Sequence, residues 1–354
     1  MSTFSKTILH WYSENKRPLP WRNTKDPYKV WLSEIILQQT RVAQGLPYYE
    51  KFISAYPTVE NLAAAREEDI LKLWQGLGYY SRARNLHSTA KIVASEFNGN
   101  FPLTYVDLIK LKGIGDYTAS AIASICYEEA RPVVDGNVYR VLARYYDIDL
   151  PINEGKGIKY FKKLAIEIMD TGHIADYNQG IMEFGAMQCT PQNPDCSSCP
   201  LNGSCVGLQQ NKIKELPVKI KKGKIRKRYF NYLVLIDDHG NTRLNKRTEN
   251  GIWKNLFEFP LIESSKPLEE EELIAEIDDA SEISFENLFS WQAEPIVHKL
   301  SHQHLITRFW IVETNHEIAS GIPLGKIETY PVPVLMADFI ETFKNSYFWP
   351  KETV

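Results

Sequence analysis

The stretch LIKLKGIGDYTASA, from Leu108 to Ala121, decides the fold of the N-terminal part of the chain. In it a helical pattern is broken by Gly113-Ile114-Gly115 and then resumes, which predicts two helices joined by a tight hairpin. Two glycines let the hairpin backbone approach a phosphate, and the N-terminus of the second helix directs free N–H groups at an anion. An ordinary glycine-rich turn between helices has the same pattern. The neighbouring motifs therefore have to decide between such a turn and a phosphate-binding hairpin.

A carboxylate follows the hairpin in the stretch RPVVDGNVYRVLARYY, residues 131–146. Asp135 is expected to lie in a loop, and an amphipathic helix is expected to begin at about Asn137. As the cap of that helix, Asp135 would accept hydrogen bonds from its first N–H groups. The same position fixes the carboxylate and keeps it ionised, which also suits a catalytic role. The two roles are compatible.

A second carboxyl group precedes the hairpin in VWLSEIILQQTRV, residues 30–42. Desolvation on an apolar helical face would raise the pKa of Glu34, as is typical of a functional carboxyl group. An exposed glutamate is nevertheless the commoner case for a helix taken in isolation. The residues that share the face of Glu34 are mostly apolar: Val30, Trp31, Leu37 and Gln38.

Four of the five cysteines lie close together with the spacing C-x6-C-x2-C-x5-C, namely Cys189, Cys196, Cys199 and Cys205. This clustering indicates a metal-containing cofactor, because a reducing cytosol disfavours disulfides and the sequence shows no secretion signal. Four thiolates suit either a zinc ion or an iron–sulfur cluster. Cys126 lies in a predicted apolar helix and is expected in the core, not among the ligands.

Composition and charge fit a soluble globular protein. The chain has 354 residues, of which 44% are hydrophobic and 24% charged, enough for two or three cores. Its net charge of -3 is unusual for a nucleic-acid-binding protein, but nine Lys or Arg residues and one Glu fall between Lys212 and Arg228. No apolar run approaches the roughly 20 residues that span a bilayer, so a cytoplasmic location is expected.

The periodicity predicts two kinds of structure along the chain. Residues 1–188 space their apolar side chains by three and four, as helices do. After the cysteines, residues 211–228 are interpreted as a basic linker, and an α+β domain is expected to begin near Tyr229. In that domain, a hairpin is predicted from YFNYLVLID and TRLNKR, and a further strand is predicted in GIWKNLFEFPLIE. A short helix is then predicted in KPLEEEELIAEI, and strands are predicted in PIVHKLSHQHLITRFWIVET.

Several segments are characteristic in combination: PLPWR at 18–22, SEIILQQTRV at 33–42, WQGLGYYSRARNL at 74–86, LKGIGDYTASAI at 111–122, VVDGNVYRV at 133–141, the cysteine loop and the C-terminal domain. Together they resemble the MutY branch of the helix-hairpin-helix, or endonuclease III, superfamily of DNA glycosylases. The resemblance implies a multidomain fold, with an all-α helix-hairpin-helix glycosylase domain that carries a [4Fe-4S] cluster loop, followed by an α+β Nudix-like domain. The implied bounds are 1–210 for the helical domain, 211–228 for the linker and 229–354 for the Nudix-like domain. The helical domain would consist of a six-helix barrel subdomain and a cluster subdomain, with the hairpin near 108–127 and the cluster loop at 189–205.

The chemistry that the resemblance implies is removal of adenine mispaired with 8-oxoguanine or guanine in double-stranded DNA, after the base is flipped into a pocket. Glu34 would protonate adenine N7, Asp135 would stabilise an oxocarbenium-like sugar, and Asn137 would orient neighbouring groups. Tyr117 would contact the nucleotide. Bifunctional relatives have a lysine there that forms a Schiff base with the sugar, so this chain is expected to be monofunctional.

The remaining site residues are also implied by the resemblance. Ser301 and His302, in HKLSHQHL, would hydrogen-bond 8-oxoguanine, although many members have Phe where this chain has Leu300. The acidic run EEEELIAEIDD, residues 269–279, lacks the R-E-x-x-E-E arrangement of a Nudix hydrolase. This domain is therefore expected to bind the oxidised base without hydrolysing 8-oxo-dGTP. The four cysteines would hold the [4Fe-4S] cluster, and the protein would act as a monomer at the nucleoid, with no membrane partner.

The resemblance also implies an adenine pocket that includes Leu37 and Val42, although core packing explains these two residues nearly as well. The implied DNA contacts are Arg17, Trp21, Arg22, Gln39, Thr40, Leu77, Tyr79, Gly113, Gly115, Ser301 and His302.

Three alternatives remain open from the sequence. A bifunctional pyrimidine glycosylase of the endonuclease III type shares the hairpin and the cluster, but Tyr117 and the extra domain oppose it. A cluster-bearing DNA-binding module without catalysis is opposed by the presence of both Glu34 and Asp135. A Nudix nucleotide hydrolase is the third.

Overall fold

The computed structural model describes residues 3–220, 223, 225–280 and 284–347. The chain divides into two compact units, one formed by Met1–Ala64 with Asn85–Lys221 and the other by Ala65–Arg84 with Lys222–Val354. Residues 221, 222 and 224 of the predicted linker and residues 281–283 and 348–354 of the predicted Nudix-like domain lie outside the described residues. Residues 65–84, which the sequence pattern groups with the N-terminal helices, pack with the second unit.

The two units differ in their secondary structure, as the periodicity predicts: the first is helical and the second combines strands with helices. The helices are α1 (Thr3–Asn15), α2 (Pro27–Leu37), α3 (Val42–Ala55), α4 (Val59–Ala64), α5 (Glu67–Leu73), α6 (Ser81–Glu96), α7 (Tyr105–Leu108), α8 (Asp116–Tyr127), α9 (Gly136–Tyr146), α10 (Gly155–Ile168), α11 (Ile174–Met187), α12 (Val206–Gln209), α13 (Glu270–Ala280) and α14 (Val334–Tyr347). The strands are β1 (Arg226–Asp237), β2 (Asn241–Thr242), β3 (Asn245–Lys246), β4 (Phe257–Glu258), β5 (Leu261–Ser264), β6 (Asn287–Ser290), β7 (Ile296–Lys299), β8 (Gln303–Thr314) and β9 (Ile322–Pro323).

The hairpin between α7 and α8 confirms the predicted break at the two glycines. Gly113 has a φ of +78°, and a Cβ atom there would lie 2.7 Å from the Cβ of Asn85, so only glycine fits both the backbone and the space. Gly115 is the extended residue before α8. The first helix is shorter than the pattern predicts: it ends at Leu108, and successive turns lead from there to Gly113.

Small side chains let the central helices of the first unit pack closely. α8 is buried along most of its length, including Ala119, Ala121 and Ala123. It contacts both α2 and α11, and α11 also packs against α1 and α9. Because short side chains shorten the distance between helix axes, α2, α8 and α11 can enclose one common interior.

The second unit is built on a sheet whose strand order is β5-β1-β8-β6, with β7 also paired to β8. β1 runs parallel to β8 over twelve residue pairs and antiparallel to β5. The core beneath the sheet contains Leu235 and Trp310 from the strands and Leu273 and Ile277 from α13. The strands and the short helix predicted in the second half of this unit, now β7, β8 and α13, are confirmed.

The predicted hairpin between YFNYLVLID and TRLNKR is wrong. Both edges of β1 are occupied, by β5 on one side and β8 on the other, so the segment that follows its turn cannot join it. Instead β2 pairs with β9, and β3 pairs with β4. The predicted strand in GIWKNLFEFPLIE is likewise split into the short strands β4 and β5. Among the described residues, no helix is both long enough and apolar enough to cross a membrane.

Candidate active site

A cavity of about 160 Å³ lies in the first unit between α2, α8, α11 and the start of α9. Its walls bring together the two carboxyl groups singled out from the sequence, Glu34 and Asp135, which are 101 positions apart in the chain. Each comes from a different element, so only the packed unit forms the site. The other predicted residues that line this cavity are Arg17, Trp21, Arg22, Leu37, Thr40, Val42, Tyr117 and Asn137.

Glu34 occupies the buried side of α2. The helix begins at Pro27 after Asp26, whose carboxylate accepts a hydrogen bond of 3.0 Å from the backbone N–H of Tyr28. With this start, Glu34 falls on the face turned towards α8 and is 8% exposed. Burial raises the pKa of Glu34 to about 7, and the nearby Asp135 adds to the increase. The carboxyl group therefore holds its proton to a higher pH than an ordinary glutamate does, which the sequence alone could not establish.

Asp135 caps α9, as predicted. Its Oδ1 accepts hydrogen bonds from the backbone N–H groups of Asn137 (2.9 Å) and Val138 (2.8 Å), and its Oδ2 accepts one from Asn137 Nδ2 (2.7 Å). Burial raises the pKa of Asp135, while these three hydrogen bonds and the charge of Arg140 oppose the increase. The donors all stabilise the ionised form, so the two carboxyl groups of the cavity have different environments.

Tyr117 lies in α8 between these two groups. Burial raises the pKa of its phenol well above 10, and the negative charges of Glu34 and Asp135 act in the same direction. The phenol oxygen lies 3.1 Å from Met182 Sδ, a weak acceptor, and it also donates to the Glu34 carboxyl, which limits the rise in the pKa of Glu34. Position 117 thus holds a neutral hydrogen-bond donor and no amine.

A third buried carboxylate in the cavity wall, Glu183 of α11, was not found from the sequence. Arg17 Nη2 and Arg22 Nη2 both lie 2.6 Å from its Oε2, and both side chains also donate to its Oε1, at 2.7 and 2.8 Å. Although burial opposes ionisation, the hydrogen bonds from Arg22 and Arg17 lower the pKa of Glu183 to about 2. A glutamate within the apolar stretch IMEFGAM is the same signal that marked Glu34, and it was available in the sequence.

Arg140 connects Asp135 to the cysteine loop. Its Nη2 donates to Asn137 Oδ1 (2.8 Å) and to the Gly185 carbonyl (2.6 Å), and its Nε donates to the Cys189 carbonyl (2.7 Å). Asn137 in turn holds Asp135 through its Nδ2. Two side chains therefore separate the first cysteine of the loop from the carboxylate of the cavity.

The four cysteines of the loop line one small cavity together with apolar side chains such as Phe184 and Leu201. Arg144 fixes the loop by donating to the Thr190 carbonyl (2.7 Å) and lies 3.4 Å from Cys189 Sγ. Among the described residues, no three Cys, His, Asp or Glu side chains converge closely enough for a single metal ion. Four thiolates lining one cavity are the ligand set of an iron–sulfur cluster, in which each thiolate binds a different iron.

Two residues that are predicted to contact DNA have a left-handed backbone. Gln39, just after α2, has a φ of +56°, and Tyr79, before α6, has a φ of +48°. This conformation costs a non-glycine residue about 1–2 kcal/mol, and such strain is concentrated at functional sites. In the first unit, Gly113 and Gly115 lie in the hairpin between α7 and α8.

A second cavity, of about 410 Å³, lies within the second unit. It brings together Leu77, Tyr79, Ser301 and His302, which the resemblance had placed in DNA contact. The hydroxyl groups of Tyr79 and Ser301 are hydrogen-bonded. Sequence reasoning missed Trp253, which lines the same cavity; it lies in the loop between β3 and β4 with a φ of +61°.

Comparison with known proteins defines the class. The chain matches the HhH-GPD superfamily of base excision DNA repair proteins over residues 32–164, the iron–sulfur binding domain of endonuclease III over 189–205 and the NUDIX domain over 231–342. A solved structure of a thermostable thymine-DNA glycosylase aligns with a TM-score of 0.54 and 29% identity, covering 58% of this chain and 95% of that one. The protein is thus a helix-hairpin-helix DNA glycosylase, a hydrolase of N-glycosyl bonds.

The curated relatives identify the branch. An adenine DNA glycosylase of Buchnera aphidicola subsp. Schizaphis graminum is 45% identical over 73% of this chain and 74% of its own length. That of Buchnera aphidicola subsp. Baizongia pistaciae is 38% identical over 90% and 88%, and the human protein 41% over 61% and 41%. The chain belongs to the adenine DNA glycosylase family. It carries a [4Fe-4S] cluster in the loop 189–205, so the expected iron–sulfur site is confirmed over the zinc alternative.

Cluster binding should depend on the loop cysteines only. We expect Cys199→Ser to remove the visible thiolate-to-iron absorption and most of the bound iron, because one iron would lose its protein ligand. The measurement is iron and sulfide content together with the absorption spectrum of the purified protein.

Cys126→Ser is the matched control. Cys126 is a half-buried thiol in α8, outside the cysteine loop, so its replacement should leave the cluster in place. Loss of iron from this variant as well, or full iron content in the Cys199 variant, would contradict the assignment.

Proposed function

We propose that this protein hydrolyses the N-glycosidic bond of adenine mispaired with 8-oxoguanine or guanine in duplex DNA, as a monofunctional glycosylase. The observation that carries the proposal is the pair of carboxyl groups, the buried Glu34 and the half-buried Asp135, that face one cavity with different hydrogen-bond partners. Two carboxyl groups with different hydrogen-bond partners suit one general acid and one charge stabiliser. Membership of the adenine DNA glycosylase family supports adenine as the base.

Base flipping is part of the proposal, because the cavity lies among helices where a base still stacked in the duplex could not reach it. Trp21, Leu37 and Val42 provide apolar walls for a flipped base. Arg17 and Arg22, both paired with Glu183, provide a polar wall that combines fixed N–H donors with carboxylate acceptors. A purine edge, which displays both acceptors and donors, is complementary to such a wall.

In the proposed reaction, protonated Glu34 donates its proton to adenine N7, so the base leaves as a neutral molecule. The bond from the sugar C1′ to the base nitrogen breaks, and the electron pair departs with the base. Ionised Asp135, held by Asn137 and Val138, stabilises the oxocarbenium-like sugar until water adds to C1′. When bound, the cluster cross-links the loop and so fixes the Cys189 carbonyl that Arg140 contacts.

Recognition of the opposite base is assigned to the cavity of the second unit. Ser301 and His302 supply hydrogen-bonding groups, and Tyr79 supplies an aromatic surface that is 48% exposed. Leu300 gives apolar contact where many members have a stacking Phe. Trp253, in the same cavity, offers a second aromatic ring. The basic residues Arg84 and Lys299 in its wall favour a polyanionic ligand.

Because all residues of the catalytic cavity come from one chain, we propose that the protein acts as a monomer. Its substrate would be genomic DNA, so it would work at the nucleoid. The hairpin at Gly113 and Gly115 would bind a phosphate of the DNA backbone without selecting a sequence.

The acid role of Glu34 predicts both a mutational effect and a pH profile. We expect Glu34→Gln to slow single-turnover release of adenine from a duplex with adenine opposite 8-oxoguanine by about 10²- to 10⁴-fold, since the general acid is lost. In the unsubstituted protein the rate constant should fall about tenfold per pH unit above pH 7, because Glu34 must be protonated to act.

Glu50→Gln, on the exposed side of α3, is the control and should keep the original rate constant and pH profile. Adenine release at an unchanged rate from the Glu34 variant would exclude the acid role. A rate that rises through pH 8 would exclude it equally, because the acid would then be ionised.

Tyr117 predicts that the DNA strand stays intact after adenine is removed. We expect no covalent protein–DNA adduct on borohydride treatment and strand cleavage only after added alkali or heat, because the cavity offers no amine to form a Schiff base at position 117. Tyr117→Lys serves as a positive control, since it places a primary amine beside the reacting sugar. Efficient strand cleavage by the unsubstituted protein without alkali would favour the bifunctional alternative.

Ser301 predicts a selective loss of preference for the oxidised base. We expect Ser301→Ala to weaken binding to a duplex with 8-oxoguanine opposite an uncleavable adenine analogue by about three- to tenfold, the value of one hydrogen bond, while a guanine duplex is little affected. Fluorescence anisotropy on both duplexes measures the ratio. Ser290→Ala, in β6, should change neither affinity, and an equal loss on both duplexes in the Ser301 variant would contradict a role in recognition.

A further inference from the structure

Asn178, in α11, is fully buried and bridges three parts of the first unit. Its Nδ2 donates to the Arg131 carbonyl and to Ser124 Oγ, both at 2.8 Å, and its Oδ1 accepts from the Val133 N–H at 3.2 Å. Both amide hydrogens and the amide oxygen are therefore used. The side chain ties α11 to α8 and to the loop that leads to Asp135.

The orientation of this amide is fixed by its partners. A backbone carbonyl can only accept and a backbone N–H can only donate, so the amide nitrogen must face Arg131 and the oxygen must face Val133. Aspartate of the same size would present an acceptor to both. Leucine would leave two buried backbone groups without a partner, which costs about 1–3 kcal/mol for each. Asparagine is the residue that fits both backbone groups at this length.

The loop that Asn178 holds is the segment between α8 and α9, which has no helix or strand of its own. Val133 is buried, and Asp135 lies two residues beyond it. On its other side Asp135 is held by the first N–H groups of α9. The carboxylate is thus anchored from the helix that follows it and, through Asn178, from the loop that precedes it.

The same helix also forms a wall of the catalytic cavity. One turn after Asn178, α11 places Met182 beside Tyr117 and Glu183 between Arg17 and Arg22. A shift of the Asp135 loop relative to α11 would therefore change the distance between the carboxylate and a base bound against that wall. Displacement by about 1 Å can reduce an enzymatic rate by about 10²-fold.

We propose that Asn178 is a positioning residue for Asp135, setting the distance between this carboxylate and the sugar of the flipped nucleotide. The proposal rests on the proposed function, in which Asp135 stabilises the cationic sugar. Asn178 does not touch the substrate. It acts through the backbone of residues 131–133.

The test is single-turnover adenine release by Asn178→Asp and Asn178→Ser, with the rate constant separated from the fraction of active molecules by active-site titration. We expect the rate constant to fall about ten- to hundredfold in both variants. Affinity for a duplex with an uncleavable adenine analogue and cluster absorption should be unchanged. A purely structural role would lower the active fraction and leave the rate constant of the remaining molecules as it was.

Asn231 offers a matched control in the second unit. It is also buried and also makes three hydrogen bonds, to Trp310 Nε1 (3.2 Å), the Ile262 carbonyl (3.3 Å) and Ser264 Oγ (3.3 Å). We expect Asn231→Asp to lower the melting temperature without changing the rate constant. If the unsubstituted protein releases no adenine, the proposed function fails; if it does and both Asn178 variants match its rate constant, only the positioning role fails.

Hydrogen exchange on the unsubstituted protein keeps the proposal testable should neither variant fold. The Val133 amide belongs to a loop, yet we expect it to exchange as slowly as amides in the centre of α8, because Asn178 holds it. Exchange at the rate of exposed loop amides would overturn the proposal.

Discussion

The burial of the Glu34 carboxyl opposite Asp135 is the constraint on which the catalytic unit depends. A pKa of about 7 in place of 4.5 means that the native state binds the proton more tightly than the unfolded state does. Stability therefore falls as the pH rises from about 4.5 to about 7, by on the order of 3 kcal/mol in total. The apolar packing of α2 against α8 has to offset this cost.

α11 is the element that relates the parts of the site to one another. Glu183 pairs with two arginines from the segment before α2, and Gly185 allows α11 to approach α9 so closely that a Cβ atom there would lie 2.7 Å from Asn137 Cβ. Because α11 and α9 lie so close, Arg140 can donate both to the Gly185 carbonyl and to Asn137 Oδ1. The cavity wall at Glu183, the Asp135 cap and the cysteine loop are thereby all connected to one helix, and the proposed reaction needs such precision.

Local patterns predicted the local features well. The cap at Asp135 depends on neighbours within three residues, and the break at Gly113 is needed by its own φ of +78°, so the local sequence was enough to predict both. The burial of Glu34 depends on α8, about 80 positions away, and the periodicity of α2 alone allowed either a buried or an exposed glutamate. The pairing of β1 with β8 joins residues 226 and 303, and the local turn signal at DDHGN pointed to the wrong partner. Glu183 stands in an apolar stretch as Glu34 does, but its pairing with two arginines more than 160 positions earlier could not be predicted from local patterns.

The net charge of -3 looks unsuited to a polyanionic substrate. At the hairpin between α7 and α8, however, a negative charge is compensated by neighbouring side chains. Asp116, in the first turn of α8, puts a negative charge where a phosphate would approach. Lys162 of α10 lies 2.8 Å from both of its oxygens, and the Tyr105 hydroxyl donates to it at 2.6 Å. Burial opposes ionisation, but these partners lower the pKa of Asp116 and neutralise its charge. In the proposed function, the N–H groups at the start of α8 would then meet a DNA phosphate without net repulsion, and local charge rather than total charge would govern the approach of DNA.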